Sequence, residues 1–324
     1  MKILRVTSPR EFEILDMPMP APRPGEVRMR VMAVTTCPQW DLHLRHNEPM
    51  FVGHWFQYPY APGQPGHEAT GFIDAVGPGV TGLKPEDRVS AWRDPGHDRP
   101  GCYAQFVIHR AENVIRVPDH LPAEVLAPVE LAMCMGTVFR MLKEMNALKG
   151  RRVGVTGLGP AGLVAVQMAK AEGAAAVFGF DPLPVRRAVA CRVGAEACFD
   201  PTATATGEFP ARPAATRLAT GVDCVGAKDS VEFLMDRTSD AVALFGVQRE
   251  DYIYALRHGD LRLCGYKGHC RESAEYAVGL IEAGKLDLAP LVTHRLPLER
   301  YTEGVDLLET RKAIKVCFLP WERG

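Results

Sequence analysis

The segment RRVGVTGLGPAGLVAVQMAKAEGAAAVFGFD, at positions 151–181, constrains the fold more than any other part of the chain. Its hydrophobic pattern predicts a strand, a glycine-rich turn, a helix and a second strand. The turn has the pattern G-x-G-x-x-G and contains Gly157, Gly159, Pro160, Ala161 and Gly162. In this context the first glycine permits a tight turn, the second lets the backbone approach a pyrophosphate, and the third lets the helix pack close to the strand. These residues are therefore candidates for nucleotide binding.

Asp181 ends the second strand of this segment, 24 positions after Gly157. A carboxylate there can accept hydrogen bonds from both adenosine ribose hydroxyls and would repel a 2′-phosphate, which favours NAD over NADP. Arg186 and Arg187 weaken this preference, since either could turn towards a phosphate. The alternative is an α/β domain whose glycines serve packing only.

The regions around this segment predict two domains in the 324-residue chain. About the first 120 residues contain short β patterns separated by proline and glycine turns, and helical spacing begins at Pro122. Beyond Asp181, segments such as GVDCVG and AVALFGV continue a strand–helix alternation. The sequence therefore predicts an α/β protein with a parallel sheet covered by helices on both faces.

Charge and cysteine content exclude several classes of protein. The formal net charge is −1, and the chain has no basic tail that would indicate nucleic acid or an acidic membrane surface as a partner. The most apolar region, Leu163–Phe180, is interrupted by Lys170 and Glu172, so no membrane span is expected. The nine cysteines are scattered, and no signal peptide is evident. We therefore expect a cytoplasmic protein without disulfides.

A second group of residues has the chemistry of a zinc site. Cys37, the pair His67–Glu68 in PGHEATG, and Glu130 and Cys134 in VELAMCMG offer thiolate, imidazole and carboxylate donors. Zinc prefers these ligands, and a catalytic site uses three of them and leaves a fourth position open. Ligands far apart in sequence favour a catalytic site, since structural sites usually contain closely spaced cysteine pairs.

Several motifs in this order resemble the medium-chain dehydrogenase/reductase superfamily, in its zinc-dependent alcohol, sorbitol and threonine dehydrogenase branch. They are PGHEATGFIDAVGPGVTGLKPEDRV, GCYAQFV, GLGPAG with its following aspartate, and LVTHRLPLERYTEGVDLLETRKAIKVCF. The resemblance implies a GroES-like, β-rich catalytic domain from residues 1–132 and 267–324. It also implies a Rossmann coenzyme domain, with a doubly wound parallel sheet, from residues 133–266.

The resemblance implies that Cys37 and His67 are the first two zinc ligands. For the third, Glu130 matches the branch with a carboxylate ligand and is preferred to Cys134, which would then be a buried thiol. Glu68 would lie behind the metal and could exchange with water at the open position. The region that holds a structural zinc in many relatives contains only Cys102 here, so one zinc per chain is expected.

Two further roles are implied by the resemblance. Asp41 matches an aspartate that orients the ring of His67. Lys315 matches a basic residue near the coenzyme pyrophosphate, although a solvated lysine at the end of a strand is an equal alternative.

The residues after Cys37 depart from the family pattern. Gln39 occupies the position of a Ser or Thr that usually passes on the proton of the alcohol, and Trp40 is an insertion. An amide is neither acidic nor basic near neutral pH, so this relay step is missing. His43 is the best substitute by its ordinary pKa, and the alternative is a packed histidine without a catalytic role.

Three functions remain open at this point. The first is a zinc-dependent enzyme that transfers hydride between an alcohol or polyol and NAD. The second is an NAD(P)H-dependent reductase of a C=N or C=C bond, for which the altered relay would be harmless. The third is a nucleotide-binding protein without catalysis. In each case we expect a small-molecule ligand, no nucleic-acid or membrane partner, and a homodimer or homotetramer.

Overall fold

The computed structural model describes residues 1–51, 53–203, 207, 209–212 and 218–322. The chain folds into two compact units. The first contains the residues up to Leu131 together with those from Leu291 onwards, and the second runs from Ala132 to Pro290.

The first unit consists mainly of strands, numbered here in chain order. They are β1 (Lys2–Ser8), β2 (Glu11–Asp16), β3 (Glu26–Thr35), β4 (Glu68–Val76), β5 (Arg88–Ala91), β6 (Phe106–Arg110), β7 (Val114–Arg116), β14 (Val292–Pro297) and β15 (Lys315–Leu319). Its helices are α1 (Pro38–His46), α2 (Ala123–Leu126) and α8 (Tyr301–Glu309), and α3 (Val129–Glu144) begins in this unit. In the described residues, β1 and β2 form a hairpin, and the larger sheet has the order β14-β15-β3-β4-β5-β7, with β6 also paired to β3.

The central strands of this sheet, β3 and β4, position two of the candidate metal ligands. Along β3, EVRMRVMAVT alternates between buried and partly exposed residues, as expected of a strand with one face on the core. The end of β3 pairs with the start of β4, where Thr35 lies opposite Glu68. Cys37, just after β3, and His67, just before β4, are therefore brought to the same edge of the sheet.

The second unit alternates strands and helices. Its strands are β8 (Arg152–Thr156), β9 (Ala176–Phe180), β10 (Ala197–Phe199), β11 (Leu218–Asp223), β12 (Thr238–Leu244) and β13 (Arg262–Gly265). Its helices are the later part of α3, α4 (Pro160–Ala171), α5 (Pro184–Arg192), α6 (Lys228–Arg237) and α7 (Arg271–Glu282). The strands in the described residues form one parallel sheet with the order β10-β9-β8-β11-β12-β13. This confirms the predicted doubly wound arrangement, since the strand order reverses direction between β8 and β11.

The second unit extends further along the chain than the coenzyme domain expected at residues 133–266. It includes α7, which packs on α3 through a small residue: a Cβ at Gly136 would lie only 3.0 Å from the carbonyl oxygen of Ser273. Arg140 of α3 also donates a hydrogen bond to the hydroxyl of Ser273 over 3.1 Å. These contacts hold α7 within the second unit, which extends as far as Pro290.

Among the described residues, one helical stretch is long and apolar enough to cross a membrane. It spans Ala123–Glu144, 22 residues, with a mean hydropathy of 1.5 in its most apolar window. Of that window, 89% is buried within the protein. The stretch is therefore interpreted as a core helix, whose apolar surface is covered by its own protein.

Candidate functional site

Three donor groups converge in the first unit. The Cys37 sulfur, a ring nitrogen of His67 and a carboxylate oxygen of Glu68 all lie within 4.8 Å of one another. Cys37 is partly exposed at the start of α1, whereas His67 and Glu68 are buried. A thiol, an imidazole and a carboxylate at these separations have the donor types and the spacing that a zinc ion requires.

The ring of His67 is oriented for metal binding. Its Nδ1 lies 2.8 Å from the carbonyl oxygen of Pro65, and because a carbonyl only accepts, Nδ1 carries the proton. The lone pair of Nε2 therefore points away, and it lies 3.9 Å from a carboxylate oxygen of Glu130. Burial alone would lower the pKa of His67, but contact with Cys37 and the charges of Glu130 and Glu68 raise it well above its usual value. Anionic groups gathered around one imidazole favour a cation at this point.

The glycine-rich turn of the second unit has the geometry that its sequence predicts. Gly157 has φ of +77°, which favours glycine, and a Cβ at Gly162 would lie 2.0 Å from the carbonyl oxygen of Gly157. At Gly159, by contrast, a Cβ would come within 4 Å of a single group, Arg186 Nη1 at 3.8 Å. The first and third glycines are thus required by the fold. The second leaves open space beside the N-terminus of α4, where a phosphate group can be bound by backbone amides.

Asp181 is buried at the end of β9 and is held by the turn. Its carboxylate accepts hydrogen bonds from the backbone N–H groups of Leu158 and Leu183, over 2.9 and 2.8 Å. Arg186 lies 3.8 Å from the same carboxylate, whereas Arg187 donates to the main-chain carbonyl of Asp181 over 2.7 Å. Of the two arginines, Arg187 is therefore engaged by a main-chain carbonyl, and Arg186 lies beside the Asp181 carboxylate.

Comparison with known proteins gives consistent results. The alcohol dehydrogenase GroES-like domain family matches residues 23–119. L-threonine 3-dehydrogenase from Pyrococcus horikoshii is 28% identical over 341 residues, covering 95% of this chain and 94% of that protein. Sorbitol dehydrogenase from Homo sapiens is 27% identical over 350 residues, covering 97% and 94%. The crystal structure of galactitol-1-phosphate dehydrogenase from Escherichia coli matches 99% of this chain and 100% of that chain, with a TM-score of 0.81 and 23% identity.

The GroES-like domain match and the similarity over nearly the whole chain to threonine and sorbitol dehydrogenases support the medium-chain dehydrogenase/reductase superfamily. The chain is therefore an oxidoreductase, and the alternative of a nucleotide-binding protein without catalysis is not retained. The GroES-like and Rossmann architecture predicted from the sequence is confirmed.

Lys315 has a different partner from the one this superfamily suggested. Its ammonium group lies 2.6 Å from both carboxylate oxygens of Glu68 and 2.7 Å from the carbonyl oxygen of Thr36, and both charged side chains are 1% exposed. Thr35 donates a further hydrogen bond to Glu68 over 2.8 Å. Lys315 is thus not a solvated lysine, since all three of its donors are engaged within the first unit; its expected role near a coenzyme pyrophosphate stays a prediction. No local sequence pattern indicated this ion pair.

Asp41 also differs from its expected role, because the ring of His67 is oriented by Pro65 instead. The carboxylate of Asp41 accepts a hydrogen bond from the backbone N–H of Cys37 over 2.9 Å, and from the hydroxyls of Tyr103 and Tyr301, each over 2.9 Å at the closest. Burial raises its pKa to about 6 despite these donors. Asp41 therefore holds the main chain of the cysteine. Tyr103 lies in the GCYAQFV motif and Tyr301 in the C-terminal motif LVTHRLPLERYTEGVDLLETRKAIKVCF, but neither motif indicated that these hydroxyls meet at Asp41.

The residues of the altered relay pack rather than form a proton path. The Trp40 ring lies 4.6 Å from the ring of His97 and meets His54 edge-on at 5.7 Å. Gln39 Nε2 is buried with no hydrogen-bond partner in the described residues. His43 is buried, and its Nδ1 lies 3.1 Å from the carbonyl oxygen of Pro49 and 3.2 Å from that of Glu48. One ring nitrogen of His43 is thus engaged in holding the chain that leaves α1.

Cys134, the alternative third ligand, is a buried thiol of the second unit. The hydroxyl of Tyr266 donates a hydrogen bond to its sulfur over 3.0 Å, and His269 Nε2 lies 3.9 Å away. Glu130 belongs to the first unit, and its carboxylate oxygen lies 3.9 Å from His67 Nε2. This short distance to a proposed ligand supports Glu130 as the third donor.

Proposed function

We propose that this oxidoreductase is a zinc-dependent, NAD-linked dehydrogenase of an alcohol or polyol. The observation that carries the proposal is the cluster of Cys37, His67 and Glu68, with a carboxylate oxygen of Glu130 3.9 Å from Nε2 of the anchored His67 ring. The named substrates of its relatives, L-threonine and sorbitol, are alcohols. They are the first compounds to test.

The donor set fits a catalytic zinc, with one ion per chain. The thiolate of Cys37 and the carboxylate of Glu130 together balance its charge of +2, and neutral His67 completes three ligands. Glu68 adds no net charge, because Lys315 neutralises it. Bound there, zinc would polarise the oxygen of an alcohol or carbonyl as a Lewis acid.

The protein's own groups define the rest of the proposed chemistry. Asp41 fixes the backbone of Cys37, and Pro65 fixes the tautomer of His67, so the donors are arranged before a substrate arrives. Lys315 holds Glu68 beside them through a short ion pair. With Glu68 held in this ion pair, its carboxylate would not take the fourth position on a bound zinc ion, which would then be open to a substrate oxygen.

We propose NAD as the coenzyme, bound by the second unit, with the catalytic ligands in the first. Support comes from Gly159, where the backbone is open to a pyrophosphate, and from Asp181, whose carboxylate would repel a 2′-phosphate. The nicotinamide would accept or donate the hydride. Arg186 beside Asp181 is the one feature that favours NADP, and a titration with both coenzymes decides between them.

Metal analysis combined with a coenzyme-linked substrate screen tests the proposal. The wild-type protein should contain about one zinc per chain and oxidise an alcohol or polyol with NAD. Cys37→Ser and Glu130→Ala should lose both the metal and the activity, whereas Cys134→Ala, on the same helix as Glu130, should keep both. A Glu130→Ala variant that keeps its zinc, together with a Cys134→Ala variant that loses it, would exclude the proposed ligand set.

A second candidate function is the reduction of a C=N or C=C bond with NAD(P)H. It is favoured by Gln39, an amide at the position where relatives relay the alcohol proton. The two functions differ in one measurement. Reduction of iminium or enone substrates, with no oxidation of any alcohol in the same panel, would support the reductase.

The remaining expectations are also proposals. We infer a cytoplasmic enzyme, since all nine cysteines are free thiols. A homodimer or homotetramer is proposed from the resemblance alone, and size-exclusion chromatography with light scattering tests it.

A further inference from the structure

Two thiols of the second unit lie side by side. Cys191 is in the last turn of α5, and Cys198 is in the middle of β10. Their sulfur atoms are 3.3 Å apart, and one thiol donates a hydrogen bond to the other. A disulfide has a sulfur–sulfur distance of about 2.05 Å, so rotations of the two side chains that bring the sulfurs about 1.3 Å closer would allow the bond.

The two thiols differ in accessibility. Cys191 is exposed to solvent, whereas Cys198 is partly buried against Gly179 of the neighbouring strand. Burial, together with the contact to Cys191, raises the pKa of Cys198 to about 12. An oxidant in solution therefore reaches the exposed thiol of Cys191 first, and the sulfur of Cys198 lies 3.3 Å from it. The raised pKa of Cys198 also leaves little of its thiolate, which is the reactive form.

We propose that Cys191 and Cys198 form a reversible disulfide when the protein meets hydrogen peroxide. The Cys191 thiolate attacks the peroxide, an S–O bond forms, the O–O bond breaks, and hydroxide leaves. The Cys198 sulfur then attacks the sulfenic acid, so that an S–S bond forms and water is released. Two thiols are oxidised while one peroxide is reduced to two water molecules, and a small dithiol reverses the reaction by exchange.

The bond would fasten together two elements that already share contacts near Asp181. Arg187, in the first turn of α5, donates to the Asp181 carbonyl and lies 3.6 Å from Asp200, just after β10. The first turn of α5 is thus held by polar contacts, and oxidation would add a covalent link at its last turn. No proposed metal ligand takes part, so this reaction is independent of the proposed function.

Tryptic mapping of the zinc-loaded protein tests the proposal directly. Trypsin cuts between the two cysteines at Arg192, which gives the peptides 188–192 and, because Arg212 precedes a proline, 193–217. After hydrogen peroxide and alkylation of the remaining thiols, non-reducing digestion should yield these two peptides joined, two hydrogen atoms lighter than their sum. Treatment with dithiothreitol should return them separately.

Single variants give matched controls. Cys191→Ser and Cys198→Ser should each abolish the joined peptide, whereas Cys264→Ser, a partly exposed cysteine of the same unit, should keep it. The proposal is overturned if wild-type Cys191 accumulates sulfinic acid while Cys198 stays reduced, or if either cysteine pairs elsewhere. The wild-type result alone decides, so it does not depend on the folding of a variant.

Discussion

Glu68 and Lys315 are a pair of opposite charges removed from water beside the candidate metal ligands. A lone buried charge is costly, and here each ion neutralises the other while Thr35 and Thr36 satisfy further hydrogen-bonding capacity. The pair is therefore stable only as a unit. This gives a direct test of how much each member depends on the other.

Replacing Lys315 with Met should lower the free energy of unfolding by about 3–5 kcal/mol, because the carboxylate of Glu68 is left buried without a counter-ion. The double variant Glu68→Gln, Lys315→Met should recover part of this loss. Urea unfolding measures both effects. Lys312→Met, at an exposed lysine of the same segment, is the control and should change stability by less than about 0.5 kcal/mol. Additive losses in the double variant would show that the two groups do not interact.

Asp41 predicts a distinct dependence of stability on pH. Its pKa is about 6 in the folded protein against an ordinary value of 3.8, so the folded state binds the proton more tightly. Its contribution to stability is therefore present at low pH and decreases as the pH rises from about 4 to about 6, by about 3 kcal/mol in total. The difference in unfolding free energy between wild type and Asp41→Asn should follow this curve. A difference that stays constant across the window, or grows with pH, would contradict the raised pKa.

At the scale of elements, the sequence predicted structures that depend on residues close together in the chain. It did not predict contacts that depend on the pairing of distant strands. The β8–turn–α4–β9 segment was predicted because its glycines act within six positions of one another. The convergence of Cys37 and His67 was reached through a resemblance. The ion pair of Lys315 with Glu68 was missed because it depends on the pairing of β15 with β3 and of β3 with β4, which no local pattern encodes.

Substitutions at two glycines of the glycine-rich turn should separate its role in packing from its role in coenzyme binding. Gly162→Ala places a Cβ against the carbonyl of Gly157 and should destabilise the protein by about 1–3 kcal/mol or more. Gly159→Ala meets no backbone and should cost less than about 1 kcal/mol. It should nevertheless weaken NADH binding on the order of tenfold or more, about 1.4 kcal/mol, because the methyl group fills the space for the pyrophosphate.

Thermal unfolding and NADH fluorescence measure the two properties. Gly279→Ala, in an exposed part of α7 with nothing near its Cα, is the control and should leave NADH binding unchanged. If Gly159→Ala binds NADH as well as the wild type does, the turn does not contact the pyrophosphate.

At the scale of the whole molecule, the chain divides its chemistry between two units. The candidate metal donors Cys37, His67 and Glu130 belong to the first, and the glycine-rich turn with Asp181 belongs to the second. The sequence predicted this division through the order of its motifs. It did not predict the extent of the second unit, because the packing of α7 on α3 at Gly136 has no periodic signature.

Removal of the metal with a chelator should therefore abolish turnover while NADH still binds. The thermal midpoint should also fall, because zinc that binds only the folded state stabilises it. Activity, NADH fluorescence and calorimetry measured on one preparation, before and after restoring zinc, check this expectation. Loss of NADH binding together with the metal would show that the two functions are not separable.

The pairing of Glu68 with Lys315 also has a consequence for synthesis of the chain. The two residues are 247 positions apart, and the ribosome adds about 5–20 residues per second. For roughly 10–50 s the nascent polypeptide thus carries Glu68 without the ammonium group that lets it be buried. During that interval β3 and β4 cannot close over the carboxylate at low cost. Arrival of β15 is therefore the event that completes the unit containing the candidate metal donors.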